Sequence, residues 1–216
     1  LCRRDLAEAA LRQSLPDGAL SGAARAELLR FYSQWLSRRG KSPDLRDVLI
    51  PLMDTESRVL RKEVVRHVGW HEDPEVRARI STRAREILLS GRFPEEAPDY
   101  AARVDWKTDP DAVAVAEWLS ASEAGGERAA VLAVLWAVGP GLATDHAWKL
   151  LDDPAGVARL RALRCFQTRD TGPDAFTRLL SKWSAFVSET DPRPELRSES
   201  AMYLVVLRTS ALRGLT

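Results

Sequence analysis

The chain has 216 residues, 45% of them hydrophobic and 29% charged, with 32 Lys and Arg against 31 Asp and Glu for a formal charge of +1. These values lie near the soluble globular average, allow one domain or two small ones with a substantial core, and exclude a disordered or membrane-spanning class. Residues 1–100 hold 18 basic and 16 acidic groups and the remainder 14 and 15, so neither half advertises a nucleic acid or a membrane as partner, and such binding would need a local patch.

Helix signals recur along the chain and strand signals hardly appear. The first helix is predicted from Asp5 to Leu15, stopped by Pro16-Asp17-Gly18. A second opens near Ser21, carries Leu28, Leu29, Phe31, Tyr32, Trp35 and Leu36, and closes at Arg38-Arg39-Gly40. Ser42-Pro43-Asp44 starts a third, through Leu45, Val48, Leu49, Leu52 and Met53. A fourth runs from beyond Asp54 to Gly69. At about 100° per residue its Arg58, Arg61, Lys62 and Arg66 share one arc, beside an apolar arc of Leu60, Val64, Val65 and Val68. Asp73-Pro74 starts a fifth that ends before Gly91. From Arg92 to Trp106 the pattern weakens, and a loop with one short helix around Tyr100–Val104 is expected.

Asp109-Pro110 reopens the pattern with Val113, Val115 and Trp118. The apolar run Ala129–Val138 follows, bounded by Gly125-Gly126 and Gly139-Pro140-Gly141. It is too short for a bilayer, which needs about 20 apolar residues, yet apolar on every side. It is therefore read as a central helix covered by neighbours, with Leu132, Leu135, Trp136, Leu151, Leu163 and Phe166 buried. Helices at Thr144–Leu151, Pro154–Phe166, Pro173–Phe186 and Pro192–Leu212 bring the total to about ten, joined by short connections that suit antiparallel neighbours.

Four segments share one plan: an apolar helix, a polar turn, then a helix with an early Arg or Glu. They are Leu52-Met53-Asp54 into Arg58–Arg61, Ser120-Ala121-Ser122 into Glu127-Arg128, Leu150–Pro154 into Val157-Ala158-Arg159, and Glu189–Pro192 into Leu196-Arg197. The Asp-Pro turns, best shown in Asp73-Pro74-Glu75-Val76-Arg77, resemble those of the HEAT-repeat family, whose units are helix pairs of about 40 residues. Asp109-Pro110 departs from the plan by opening a first helix, and Arg92–Trp106 fits no unit. The resemblance implies an all-α, right-handed α-solenoid of antiparallel helix pairs. The resemblance covers most of residues 42–212, and the chain is expected to divide into helical repeats over 1–91, an irregular connection over 92–108 and further repeats over 109–216 in one continuous stack. The resemblance also implies a scaffold role and no particular reaction.

The second helices line the concave side in that family, so Arg58, Arg61, Lys62 and Arg66 together with Arg159, Arg161 and Arg164 form the candidate basic face. Interleaved acids such as Glu56 and Glu63 favour a solvated, ion-paired face over a phosphate-binding one. Of the seven tryptophans, Trp118, Trp136, Trp148 and Trp183 fall in apolar helical patterns and are assigned to the core. Trp70 and Trp106 lie at helix ends and are candidate contacts.

Trp106, Asp109 and Asp111 also resemble, loosely, the tryptophans and Asp that a HEAT-like DNA glycosylase sets against a basic groove. His67 and His71 have i, i+4 spacing, but Gly69 breaks the helix between them, so no metal is expected. Without a phosphate loop or a nucleophile motif no cofactor is expected either. Cys2 and Cys165 suit a reducing, cytoplasmic compartment. Leu1 in place of an initiator Met, with no signal-like run after it, points to a piece of a longer chain, and the richness in Ala, Arg, Leu and Val to a bacterial-type one. The resulting expectation is a non-catalytic scaffold or sensor module for a protein partner, with nucleic-acid binding as the alternative.

Overall fold

Every regular element is a helix in a computed structural model that describes residues 3–37, 45–69, 73–166, 177–179 and 181–182. The chain divides into two compact units, Leu1–Arg92 and Phe93–Thr216. Cut at that point, the first unit carries 18 basic and 13 acidic residues and the second 14 and 18. The division exposes a charge asymmetry that a cut at residue 100 conceals, because Glu95, Glu96 and Asp99 belong to the second unit.

The first unit contains α1 (Arg3–Ser14), α2 (Gly22–Ser37), α3 (Arg46–Leu49), α4 (Arg58–Val68) and α5 (Pro74–Leu89). Ser57 caps α4 by accepting the Leu60 N–H, and Gly69 ends it at φ 54°, a left-handed conformation that a side chain would oppose. Asp73 accepts the Glu75 N–H and Pro74 occupies the first turn of α5. Leu60, Val64, Val65 and Val68 of α4 are buried with Leu15, Leu29 and Met53. Each such side chain contributes about 1.5–3 kcal/mol by leaving water. α2 packs along α4. The third helix is shorter than its sequence predicts. It turns into a 3-10 segment at Ile50–Leu52, because Pro51 has no N–H to continue the α-helical ladder.

The second unit contains a 3-10 turn at Pro94–Glu96, then α6 (Ala97–Ala101), α7 (Ala112–Ser120), α8 (Gly125–Val138), α9 (Pro140–Leu150) and α10 (Gly156–Phe166). The segment around 92–108 is no bare connection, since Tyr100, Ala101, Val104 and Trp106 are buried in this unit. α8 is central and packs against α6, α7, α9 and α10. Ala129, Ala130, Val131, Leu132 and Val134 are buried there, and Gly126 lies against the Pro94 carbonyl, which a Cβ would meet at 2.0 Å. Leu132, Leu151, Leu163 and Phe166 are buried as expected, and Leu179 joins their cluster.

The covering of α8 is incomplete. Leu135 is half-buried, and Trp136 and Val138 are 39% and 40% exposed. With a rise of about 1.5 Å per residue, α8 spans about 21 Å against about 14 Å for α7 and about 8 Å for α6, so its last turn outruns both. The helices predicted at Pro192–Leu212 and most of Pro173–Phe186 lie outside the described residues.

Candidate functional site

The early arginines of the second helices share one structural task. Arg61, in the first turns of α4, donates from Nη1 to the Thr55 and Glu56 carbonyls at 2.7 and 3.3 Å. Arg128 of α8 donates from Nη1 to the Ser122 and Glu123 carbonyls, both at 2.8 Å. Arg159 of α10 donates from Nη1 to the Asp153 carbonyl at 3.3 Å. In each case an arginine reaches six residues back, to the turn that joins its helix to the one before. Carbonyls there have left one helix and not entered the next, and the guanidinium satisfies them. The turn geometry also repeats. Ser122 Oγ accepts the Ala124 N–H at 3.0 Å as Asp153 Oδ1 accepts the Ala155 N–H at 2.7 Å.

This removes Arg61 from the candidate basic face. It is only 5% exposed, because its side chain folds back over its own turn. Arg159 is likewise turned toward its turn and half-buried. Arg128, which no sequence argument had placed in a site, is engaged more widely than its turn alone. Besides its turn it forms a paired contact with Asp153, Nε to Oδ2 at 2.7 Å and Nη2 to Oδ1 at 2.8 Å, linking the start of α8 to the turn before α10. Burial alone would raise the Asp153 pKa. The Arg128 hydrogen bonds, the Ala155 N–H and the charges of Arg128 and Arg159 outweigh it and hold the carboxyl below its ordinary value.

With Arg61 withdrawn, Arg58, Lys62 and Arg66 remain exposed in a strict i, i+4, i+8 row on α4. Beside the row Glu63, 2% exposed, sits at the seam with α2. It accepts from Arg30 Nε of α2 at 2.8 Å and from Arg66 Nη1 at 3.0 Å. One buried carboxylate thus serves two guanidiniums, with Glu27 as a further partner of Arg30. The outer face of α2 next to this seam exposes Leu28 and Phe31, the latter 70% exposed. Sequence reading treated Glu63 as an acid of a solvated face, because a helical wheel shows the arc a residue occupies but not whether a neighbouring helix covers it.

In the second unit Arg161 and Arg164 are half-buried on α10, and Arg161 Nη2 donates to Asp99 of α6 at 2.9 Å. Arg103, just past α6, has its pKa lowered by burial, partly offset by Asp99. Trp106 is not a contact residue. It is 2% exposed and donates from Nε1 to the Ala101 carbonyl at 2.7 Å, which leaves no ring face for a base or a partner. Asp109 Oδ1 accepts the Asp111 N–H, so its place is a turn ahead of α7. Trp118, assigned to the core by sequence, is 46% exposed. Trp148 packs on Phe166 at 4.5 Å between ring centres and carries Arg178 over its ring.

Trp70, His71 and Trp183 lie outside the described residues. His67 Nδ1 is engaged with the Glu63 carbonyl at 2.7 Å. Among the described residues no three His, Cys, Asp or Glu side chains converge as metal ligands. No described helix is long and apolar enough to cross a membrane. Comparison with protein-family models, curated proteins and solved structures finds no match.

Proposed function

We propose that the chain is a non-catalytic binding scaffold made of stacked helix pairs in the manner of HEAT repeats, and that it serves a protein partner as one module of a larger protein. The observation that carries this reading is the arginine latch that recurs, among the described residues, at Arg61 of α4, Arg128 of α8 and Arg159 of α10. A device repeated at equivalent positions is what a chain of repeated units requires and what a one-off globular core does not. The packing supports it as well. Among the described α-helices, every substantial contact within a unit joins helices no more than two positions apart, with α2 against α4 in one unit and α6, α8 and α10 in a row in the other. The exposed charged and apolar side chains of α2 and α4 supply a surface without a reactive constellation.

The excess of basic groups in the first unit favours a second reading, binding to a nucleic-acid backbone through Arg58, Lys62 and Arg66. Replacing Lys62 by a photo-crosslinking residue in cells that express the full-length protein separates the two. The scaffold reading expects a defined protein adduct that persists after nuclease treatment. Adducts that consist of nucleic acid would overturn it.

A further inference from the structure

We infer that the outer face of α7 docks a basic amphipathic helix of a protein partner, a conclusion that rests on the binding-scaffold reading and adds the partner's chemistry. A single helix defines this face. Ala112, Val115, Ala116 and Leu119 are buried, while Val113, Ala114, Glu117, Trp118 and, at the end of the helix, Ala121 are exposed. At about 100° per residue the exposed residues fall within one arc of about 140°, opposite the buried ones. α7 packs on α8, and Val113 and Trp118 remain 50% and 46% exposed.

The exposed side chains form two adjoining i, i+4 rows, Val113, Glu117 and Ala121 beside Ala114 and Trp118. The furrow between such rows takes the ridge of a second helix, and the alanines let its backbone come close, whereas a helix offers an extended peptide no strand edge to pair with. Charge selects the kind of helix. No Lys or Arg occurs between Lys107 and Arg128, and Arg128 on α8 is held by Asp153 and by its own turn. Glu117 lies within the apolar rows, Glu123 is exposed in the turn beyond, and the carbonyl end of α7 adds negative potential. Among the described residues neither carboxylate nor the Trp118 ring has a hydrogen bond, ion pair or ring contact. A helix with Leu-type residues at i, i+3, i+4 and i+7 flanked by Lys covers the rows and brings ammonium groups to Glu117 and to the indole face. The phosphates of a nucleic acid would be repelled by the same carboxylates.

The probe is a fluorescein-labelled synthetic helix of about five turns with that Leu and Lys pattern and no tryptophan. A peptide of the same composition in scrambled order, and one with Glu in place of every Lys, are the comparison ligands, all tested by anisotropy against the full chain at near-physiological salt. The expected result is saturable binding of the patterned basic peptide. Scrambling, the exchange of Lys for Glu, Glu117→Lys and Trp118→Ser should each weaken it about tenfold or more. Saturation with unlabelled peptide should also protect Trp118 from acrylamide quenching. Circular dichroism of each variant, matched to the parent, shows that the fold is retained.

Equal binding of patterned and scrambled peptides, or no binding of either, overturns the inference. So does binding that survives Glu117→Lys or Trp118→Ser, which places the peptide elsewhere on the chain. Self-association in sedimentation that Trp118→Ser abolishes would assign the face to a second copy of the chain and overturn it likewise. None of these results touches the protein adduct at Lys62 on α4, so the scaffold reading stands or falls separately.

Discussion

Replacing Asp153 by Asn tests how the second unit is held together. The carboxylate is 5% exposed and its partner Arg128 17%. Severing a fully buried ion pair costs about 3–5 kcal/mol because one charge is left stranded, while exposed pairs are worth about 0–1 kcal/mol. Arg128 keeps its Ser122 and Glu123 carbonyls and a partial view of solvent, so the loss is expected between these limits, at about 2 kcal/mol. Asn preserves the shape and the acceptor for the Ala155 N–H, which confines the change to charge and to the paired geometry.

The pH dependence follows from the depressed Asp153 pKa. A folded carboxyl that releases its proton more readily than the unfolded one contributes stability that is present above the unfolded pKa and lost as pH falls through the folded one. Urea unfolding followed by circular dichroism should therefore show the deficit of the Asn variant in full at neutral pH and shrinking in acid. A deficit below about 0.5 kcal/mol at neutral pH, the range of ordinary surface substitutions, or one that grows in acid, would refute the reasoning.

Other expectations follow from the same geometry. Arg61→Ala strips two carbonyls of their shared donor and should cost about 1–3 kcal/mol in the same assay, whereas Arg58→Ala should change stability by less than about 0.5 kcal/mol. Gly126→Ala forces a Cβ to within 2.0 Å of the Pro94 carbonyl, a backbone atom that cannot swing aside, and should cost about 1–3 kcal/mol or more, read as a lowered unfolding midpoint. Trp106→Leu should lower stability by several kcal/mol, about what large-to-small core changes cost. Trp118→Ser should be nearly neutral but should remove a fluorescence component that acrylamide quenches readily.

Much of the helical framework was legible because its signals are local. Asp73 caps, Pro74 starts, and Gly69 and Gly91 stop helices by chemistry contained within a few residues, whereas the Ser57 cap of α4 was not read. The central place of α8 was legible from its apolar run alone. The early arginine of each second helix was visible as a pattern, but its role was not. The wheel sets Arg61 on the edge of the basic arc, and only the path of the preceding turn shows that two carbonyls await it there.

The tryptophans failed for a related reason. Trp118 and Trp106 look alike in hydrophobicity, and their exposure depends on which neighbour reaches them. Five-residue α6 and its following turn enclose Trp106, while the outer side of α7 leaves Trp118 open. Two further local signals were passed over: Pro51, read within a helical stretch, shortened α3, and Pro140, read as a stop, opens α9 four residues ahead of the predicted Thr144.

The assignment of the early arginines as turn latches is the claim on which the repeat reading depends. Guanidinium NMR, with signals assigned by Arg→Lys substitution, tests it most directly. Arg61, Arg128 and Arg159 should give resolved Nη signals with slow rotation about the Nε–Cζ bond and protection from solvent exchange. Averaged, rapidly exchanging Nη signals at Arg61 would contradict the account.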